Sequence, residues 1–134
     1  MLTHLLDTNT VIYVIRRTPM AVRDRFIAHT GQLGISSITY AELTYGVYKS
    51  QQRETNRAAL ERFCVRIEIL PYSTDAAEQY GVIRGQLEAQ GQVIGPNDLH
   101  IAAHAKAANL TLVTNNLKEF ERVEGLALEN WILG

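Results

Sequence analysis

Three acidic residues stand out in this sequence because each lies in an apolar context, although they are far apart along the chain. Asp7, Glu42 and Asp98 occupy positions where the local pattern directs a carboxylate towards apolar neighbours and away from water. An unpaired carboxylate is costly to bury, so such groups usually have a cation, a proton or hydrogen-bond donors to compensate them. Together the three residues suggest a shared metal ion.

The types of the candidate ligands indicate which ion and which reaction to expect. Carboxylate oxygens, with no cysteine or histidine at metal-binding spacing, favour Mg²⁺ or Mn²⁺ over Zn²⁺. A pair of such ions can activate a water molecule, neutralise a phosphate and stabilise the departing oxygen. The matching chemistry is hydrolysis of a phosphodiester bond.

Two predicted strands explain how part of this cluster could assemble. The apolar run from Leu2 to Leu6 predicts a short buried strand, and Asp7 follows it directly. A second strand, predicted from Leu110 to Val113, brings Glu119 towards the same edge as a fourth candidate acid. In open α/β sheets, ligands bind beyond the carboxyl ends of the strands, so this edge is the expected site.

The other two acids are predicted to lie on helices. Glu42 comes four residues after Ile38 and three before Tyr45, so we expect it on the face that carries the apolar contacts. Asp98 begins a helix predicted over residues 97–108, with Ile101 on the same packed face. Taken singly, each acid is equally compatible with a structural role, such as dipole stabilisation in a first helical turn, worth about 0.3 to 1 kcal/mol.

The alternation of strands and helices predicts the fold class. A chain of 134 residues, of which 46% are hydrophobic, suits one domain, predicted to span residues 1–134. The pattern indicates an α/β domain with a central, mainly parallel sheet of about five strands flanked by helices. Residues 68–70 are compatible with a strand or with a frayed helix end, and a final edge strand is expected at residues 126–128.

Composition bears on location and partners. No apolar run approaches the roughly 18 residues of a membrane helix, and the N-terminus shows no basic leader, so a cytoplasmic protein without membrane contact is expected. The net charge of −1 is low for a nucleic-acid-binding protein, but it becomes positive when the candidate metal ligands are set aside. Three arginines are guesses for phosphate contacts: Arg16, Arg17 and Arg53.

Other polar residues have weaker signals. His100 and His104 have a spacing that can bind metal, but helical geometry turns both away from Asp98. His4 and His29 belong to no motif. Four neutral residues flank the acids, where they could orient ligands and bound water or serve equally as caps and turn residues: Thr8, Asn9, Thr114 and Asn116.

Four segments of the sequence resemble a known family. They are LLDTN at residues 5–9, SSITYAEL at 36–43, NDLHIA at 97–102 and TNNLKEF at 114–120. In these segments, and in their order along the whole chain, the sequence is similar to PIN-domain ribonucleases, and closely to the VapC-type toxins of bacterial toxin–antitoxin pairs. Each motif alone is weak, whereas their conjunction is specific.

This resemblance implies a PIN fold, Mg²⁺- or Mn²⁺-dependent endoribonuclease activity, a homodimer and inhibition by a VapB-type antitoxin encoded nearby. It implies that Asp7, Glu42 and Asp98 fill the principal acidic positions of the family. Many PIN domains carry an aspartate where this chain has Asn116, so Glu119 must supply the fourth acid or it is missing. We therefore expect one tightly held ion and a second recruited with the substrate. The implied substrate class is structured RNA, most often tRNA, with initiator tRNA suspected.

Three alternatives are weaker. The segment LLDTNT resembles the nucleophile motif of haloacid-dehalogenase-type phosphatases, but the second aspartate of that motif would be Asn9. A phosphoreceiver domain needs an acidic pair at the first strand and a lysine at a later strand end, and residues 110–116 contain no lysine. A PIN-like domain that binds RNA without cutting it is the third. The tyrosines Tyr40, Tyr45 and Tyr48 are expected to pack against the sheet more often than to stack on RNA or close a dimer.

Overall fold

A five-stranded sheet, in which every neighbouring pair of strands is parallel, forms the centre of the protein in a computed structural model that describes residues 1–132. The strands are β1 (His4–Leu6), β2 (Leu33–Ser36), β3 (Glu68–Leu70), β4 (Thr111–Val113) and β5 (Leu128–Glu129). Their spatial order is β3-β2-β1-β4-β5. The winding direction reverses between β1 and β4, and this switch point is where open α/β sheets bind ligands.

Seven helices accompany the sheet within the described residues. They are α1 (Thr8–Arg16), α2 (Met20–Ala28), α3 (Ser37–Lys49), α4 (Arg53–Cys64), α5 (Thr74–Ala89), α6 (Pro96–Ala107) and α7 (Leu117–Phe120). Helices α1 to α4 pack on one face against Leu6 and Val113, while α5 to α7 pack on the other against Leu5 and Leu112. Because both faces are covered, consecutive residues of the central strands, such as Leu5 and Leu6 in β1 and Leu112 and Val113 in β4, are fully buried. None of these helices has the length and apolarity to cross a membrane.

Local side-chain caps fix where several helices begin. Asp7 accepts a hydrogen bond from the backbone N–H of Thr10 at 2.8 Å and caps α1, and Ser36 caps α3 through the N–H of Ile38 at 3.1 Å. Ser73 caps α5 in the same way. These caps place each helix start directly after the strand or loop that precedes it, so the first turns of α1 and α3 lie at the carboxyl edge of the sheet.

The predicted elements are present, although the bounds of several differ by one or two residues. Residues 68–70 form a strand paired with β2, so of the two alternatives the strand is correct. The first strand begins at His4 and the last runs from Leu128 to Glu129, because Leu2 and Leu126 pack beside the core without joining the ladders. Residues 133 and 134 of the predicted domain lie outside the described residues.

The expectation that the tyrosines of α3 pack against the sheet is wrong for two of them. Tyr45 and Tyr48 are 66% and 57% exposed, and only Tyr40 packs against the core. The buried face of α3 consists of Thr39, Leu43 and Val47, spaced four residues apart. Both exposed tyrosines therefore lie on the solvent side of this helix.

Candidate metal centre

The four predicted acids lie close enough at the carboxyl edge of the sheet for their charges to interact. The pKa of Asp98 is raised to about 6, first by burial and then by the negative charges of Glu119, Asp7 and Glu42. Each acid comes from a different element, since Asp7 follows β1 and the others lie on α3, α6 and α7. The fold thus concentrates negative charge where the sequence predicts a cation.

Asp7 is the most buried of these carboxylates, with 3% of its surface exposed. Burial raises its pKa, an effect that hydrogen bonds from Thr114 and Thr10 oppose and the charge of Glu42 reinforces. Asp7 therefore fits both the structural and the metal-binding interpretation of the sequence, because it caps α1 and also presents a desolvated carboxylate to the site. A cation beside it would offset the cost of burying its charge.

Glu42 is held at the site by donors from two other helices. The Thr8 hydroxyl, in the first turn of α1, donates to Oε1 at 2.5 Å, and the Asn97 side-chain amide in α6 donates to Oε2 at 3.1 Å. Glu42 lies at the border of the buried face of α3 and not on an apolar face with Tyr45, as its spacing had suggested. Its position thus depends on contacts with α1 and α6.

Glu119 supplies the fourth carboxylate, and Asn116 orients it. The Asn116 amide donates to Oε2 at 2.5 Å, while the backbone N–H of Gly95 donates to Oε1 at 2.9 Å. A side chain added at Gly95 would stand 3.9 Å from both Glu119 Oε1 and Asp98 Oδ2, so these two oxygens border the same small space. Asn116 thus acts as a donor to the neighbouring acid.

The spacing of the carboxylates discriminates between ions. Within residues 1–132, no three of these acids bring oxygen atoms within 4.8 Å of one another. A closed zinc site would require such proximity, whereas Mg²⁺ keeps several water ligands and uses only one or two carboxylates directly. This open, all-oxygen set fits a hydrated Mg²⁺ or Mn²⁺ ion.

The flanking residues divide into two groups. Hydrogen bonds to the acids are made by Thr8, Thr114 and Asn116. This agrees with the interpretation that these residues orient the ligands. Asn9 is exposed, and no side-chain hydrogen bond joins it to any described residue.

Two residues that contact the acids, Asn97 and Gly95, were not predicted from the sequence. Asn97 could have been noticed beside Asp98 in the first turn of α6, whereas nothing in the sequence marks Gly95.

The three predicted arginines do not converge. Arg16 lines a groove that also contains Thr8 and Glu42. Arg17 lies in a different depression with Phe26, and the Nε of Arg53 donates to the carbonyl of Tyr48 at 2.8 Å. Of the three, only Arg16 therefore lines a groove that also contains one of the acids, Glu42.

The histidine pair of α6 contacts other elements. His100 Nδ1 lies 2.8 Å from the Tyr72 hydroxyl, and His104 Nδ1 lies 2.7 Å from the Ser36 hydroxyl. Burial lowers the pKa of both rings. The pair thus serves packing between α6 and its neighbours, and no third ligand atom within the described residues completes a metal site with it.

Comparison with known proteins defines the class of protein. The model of the PIN domain family matches residues 4–126. Ribonuclease VapC2 of Haemophilus influenzae is 51% identical over 98% of this chain and 100% of the relative, and the tRNA(fMet)-specific endonuclease VapC of Shigella flexneri is 48% identical over 98% and 99%. The crystal structure of DNA-bound VapBC from Salmonella typhimurium superimposes with a TM-score of 0.94 at 47% identity, covering 98% of this chain and 99% of that one.

These similarities show that the chain belongs to the PIN-domain family, a class of nucleases. Within the family it groups with the VapC proteins. The resemblance stated from the sequence is therefore confirmed, as is the fold. The same match decides against the phosphatase and the phosphoreceiver domain, because neither class is related to a PIN domain along the whole chain.

Proposed function

We propose that this protein is the toxin of a VapBC-type toxin–antitoxin pair and a Mg²⁺-dependent endoribonuclease that cleaves initiator tRNA in the cytoplasm, with Mn²⁺ able to replace Mg²⁺. The observation that carries the proposal is the convergence of four carboxylates from separate elements beside β1 and β4. The tRNA substrate is supported by the relatives from Shigella flexneri and Salmonella typhimurium, whose names specify tRNA(fMet).

Asp7, Asp98 and Glu42 would hold the ion, with Glu119 beside them. A divalent ion bound there supplies positive charge for the scissile phosphate and makes a bound water more acidic. Asp98 is suited to be a direct ligand because, among the described residues, no hydrogen-bond donor occupies its carboxylate oxygens. Its raised pKa reflects the same lack of compensation.

The neighbouring polar groups keep the carboxylates in position. Thr8 and Asn97 hold the two oxygens of Glu42, and Asn116 and the Gly95 N–H hold those of Glu119. Such outer contacts fix the orientation of ligands and make the site ready for a cation. With an amide at Asn116, the site has one negative charge fewer than an all-acid version, which favours one tightly held ion and a second that arrives with the substrate phosphate.

Arg16 is the phosphate-binding residue that the geometry favours. Its side chain is exposed at the end of α1, on the groove that begins at Glu42 and Thr8. A guanidinium there can pair with a phosphate next to the cleaved bond, since arginine matches phosphate oxygens through two parallel hydrogen bonds. Arg17 and Arg53 point to other surfaces and would contact only more distant parts of an RNA.

The proposal is tested by incubating the purified protein with initiator tRNA and, separately, elongator methionine tRNA. We expect Mg²⁺-dependent cleavage of the initiator only, inhibition by EDTA and recovery with Mn²⁺. Asp7→Asn should be inactive, while Asp24→Asn, an exposed acid on α2, should remain active. Cleavage that survives EDTA or Asp7→Asn contradicts the mechanism. Binding of tRNA without cleavage in Mn²⁺ supports the non-catalytic PIN-like alternative.

The partner proposal concerns the groove between α1, α3 and α4, a cavity of about 440 Å³. Its floor is apolar, formed by Ile12, Ile15, Leu43, Val47 and Leu60, and one end opens at Glu42. An amphipathic helix fits such a groove, and a basic residue on it could reach the acids. We propose that the VapB-type antitoxin occupies it; chains related to this one have been solved as VapBC complexes.

Gly46 permits a clean test of this groove. It lines the cavity, and a Cβ built on it meets no atom within 4 Å, so Gly46→Phe fills the groove without disturbing the helix. We expect this variant to lose antitoxin binding in a pull-down; because Arg16 lines the same groove, its RNA cleavage is measured in parallel and is not part of the test. Gly85→Phe on α5, equally free of contacts, is the control. Unchanged binding to Gly46→Phe would place the antitoxin elsewhere. Sedimentation of the free protein tests the implied homodimer.

A further inference from the structure

A second cluster of ligand-forming side chains lies at the opposite end of β1. His4 begins this strand, His29 follows α2 and Glu129 ends β5. One ligand atom from each residue lies within 4.8 Å of the other two, the sole such trio of histidine, cysteine or acidic side chains within residues 1–132. His4 precedes Asp7 by three residues, or about 10 Å of strand. The cluster is therefore separate from the carboxylate site.

The hydrogen bonds of His29 determine which nitrogen is available. Its Nδ1 lies 2.8 Å from the carbonyl oxygen of Arg25, and because a carbonyl only accepts, this nitrogen carries the proton. Nε2 of the neutral ring then keeps its lone pair. The ring also stacks on Trp131, with centroids 5.3 Å apart and planes inclined by 23°. The contact restricts how the ring can turn.

His4 is oriented in the same way. Its Nδ1 lies 2.7 Å from the hydroxyl oxygen of Thr3, whose own proton is donated to the carbonyl of Gln32 at 3.4 Å. The Thr3 oxygen therefore accepts from Nδ1, and Nε2 faces Glu129 Oε2 at 3.0 Å. A nitrogen lone pair opposite a carboxylate oxygen is repulsive, so this contact calls for a proton or a metal ion between the two atoms.

Glu129 has its second oxygen occupied. Oε1 accepts from the Trp131 indole N–H at 3.1 Å and lies 3.6 Å from Arg25 Nη1, which leaves Oε2 for the cluster. The Arg25 side chain is 39% exposed, so water screens its charge. All three candidate ligands thus have their other polar atom fixed by an outer group, which is the usual arrangement around protein metal sites.

We propose that His4, His29 and Glu129 bind a transition-metal ion, with Zn²⁺ the best match, through the two Nε2 atoms and Oε2. Ligands of a tetrahedral zinc ion stand about 3.3 Å apart, given bonds of roughly 2.0 to 2.1 Å. The contact between His4 and Glu129 is already near this spacing, and a ligand atom of His29 lies within 4.8 Å of both partners. Imidazole ligands favour zinc over magnesium, so the ion differs from that of the carboxylates.

The proposed ion would connect the start and the end of the described chain. It would join β1, the end of α2 and the edge strand β5, which has only one partner strand, β4. Because the three positions are far apart in sequence, an unfolded chain cannot present them together. Binding should therefore stabilise the folded state, by an amount that grows with the logarithm of ion concentration once the site is saturated.

Trp131 provides a direct measurement, since it is the only tryptophan of the chain and stacks on His29. The metal-depleted full-length protein is titrated with Co²⁺ in excess Mg²⁺, which saturates the carboxylate site. We expect one equivalent to produce the visible absorption of tetrahedral Co²⁺ and to quench Trp131 emission. Zn²⁺ should displace Co²⁺, restore the emission and raise the melting temperature.

Two variants and two controls decide the assignment. His29→Phe keeps an aromatic ring against Trp131 but removes a ligand, and Glu129→Gln keeps an acceptor for the indole. Each should weaken Co²⁺ binding by at least about tenfold, since loss of even an outer partner of a metal ligand costs that much. His100→Phe and Glu124→Gln should bind as the unaltered protein does. The proposal is overturned if Co²⁺ binding does not saturate at one equivalent. It is also overturned if His29→Phe and Glu129→Gln bind Co²⁺ as tightly as the unaltered protein does.

Discussion

The two ends of β1 carry contrasting sets of polar side chains. Beyond its carboxyl end, Asp7 and the acids of α3, α6 and α7 form an open, all-oxygen group whose members repel one another. At its amino end, His4 and its neighbours form a compact cluster that combines nitrogen and oxygen. The open group suits a hydrated ion that must admit a substrate, whereas the compact cluster suits an ion with few waters and a structural role.

Compensation of charge differs in the same way. Glu129 accepts a hydrogen bond from the Trp131 indole and lies beside Arg25 and His4, so polar groups of the protein surround its carboxylate. Among the described residues, the charges that act on Asp98 are those of other acids, and burial removes its carboxylate from water. If both proposals hold, poor internal compensation indicates a catalytic cation site better than closeness of ligand atoms does. Unmatched charge is characteristic of groups kept for function at the expense of stability.

Asp7→Asn should have the largest effect on RNA cleavage, and this effect should be confined to the carboxylate site. Cleavage should fall by about 10²- to 10⁴-fold, as when a positioned catalytic group is removed. The metal-free protein should melt at a higher temperature, because burial raises the pKa of Asp7 and asparagine still caps α1 without a charge. Co²⁺ binding at the histidine cluster should not change. Nuclease assays, thermal unfolding and absorption spectra check these outcomes, and a lower melting temperature would contradict the charge argument.

A smaller effect is expected when the support of Glu42 is removed. Thr8→Val keeps the shape of the side chain and loses the hydroxyl that donates to Oε1. Activity should fall about tenfold, with a higher Mg²⁺ requirement, as is usual for groups that orient metal ligands. Thr55→Val, at an exposed position in the first turn of α4, is the matched control. Equal Mg²⁺ dependence in both variants would show that Glu42 needs no such support.

The smallest effect is on stability as a function of pH. Folded Asp98 has a pKa of about 6, above its ordinary 3.8, so between these values the folded protein binds more protons than the unfolded chain. The free energy of unfolding of metal-free protein should therefore fall as pH rises from about 4 to 6 through this group. Urea titrations should show a shallower decline for Asp98→Asn than for the Asp24→Asn control. Saturating Mg²⁺ should weaken the decline, because it binds the ionised form.

Much of the fold could be read from the sequence because its signals are local. Apolar runs mark β1, β2 and β4, and Ser36 and Ser73 mark the helices they cap. Strand bounds were less predictable, since Leu2 and Leu126 are as apolar as ladder residues and differ only in having no partner strand. The exposure of Tyr45 and Tyr48 was mispredicted because an apolar pattern does not show which face of a helix a neighbouring helix covers.

By itself, the sequence determined the four candidate acids, the placement of Asp7 after a strand and of Asp98 at a helix start, and the family. These follow from short segments in which the functional residue and its structural context are adjacent. Only the tertiary structure decided how the acids are held, because Thr8, Asn97 and Gly95 reach them from other elements. It also brought His4, His29 and Glu129 together. No sequence pattern announces that cluster, since its spacing is set by strand order and helix packing and not by any local repeat.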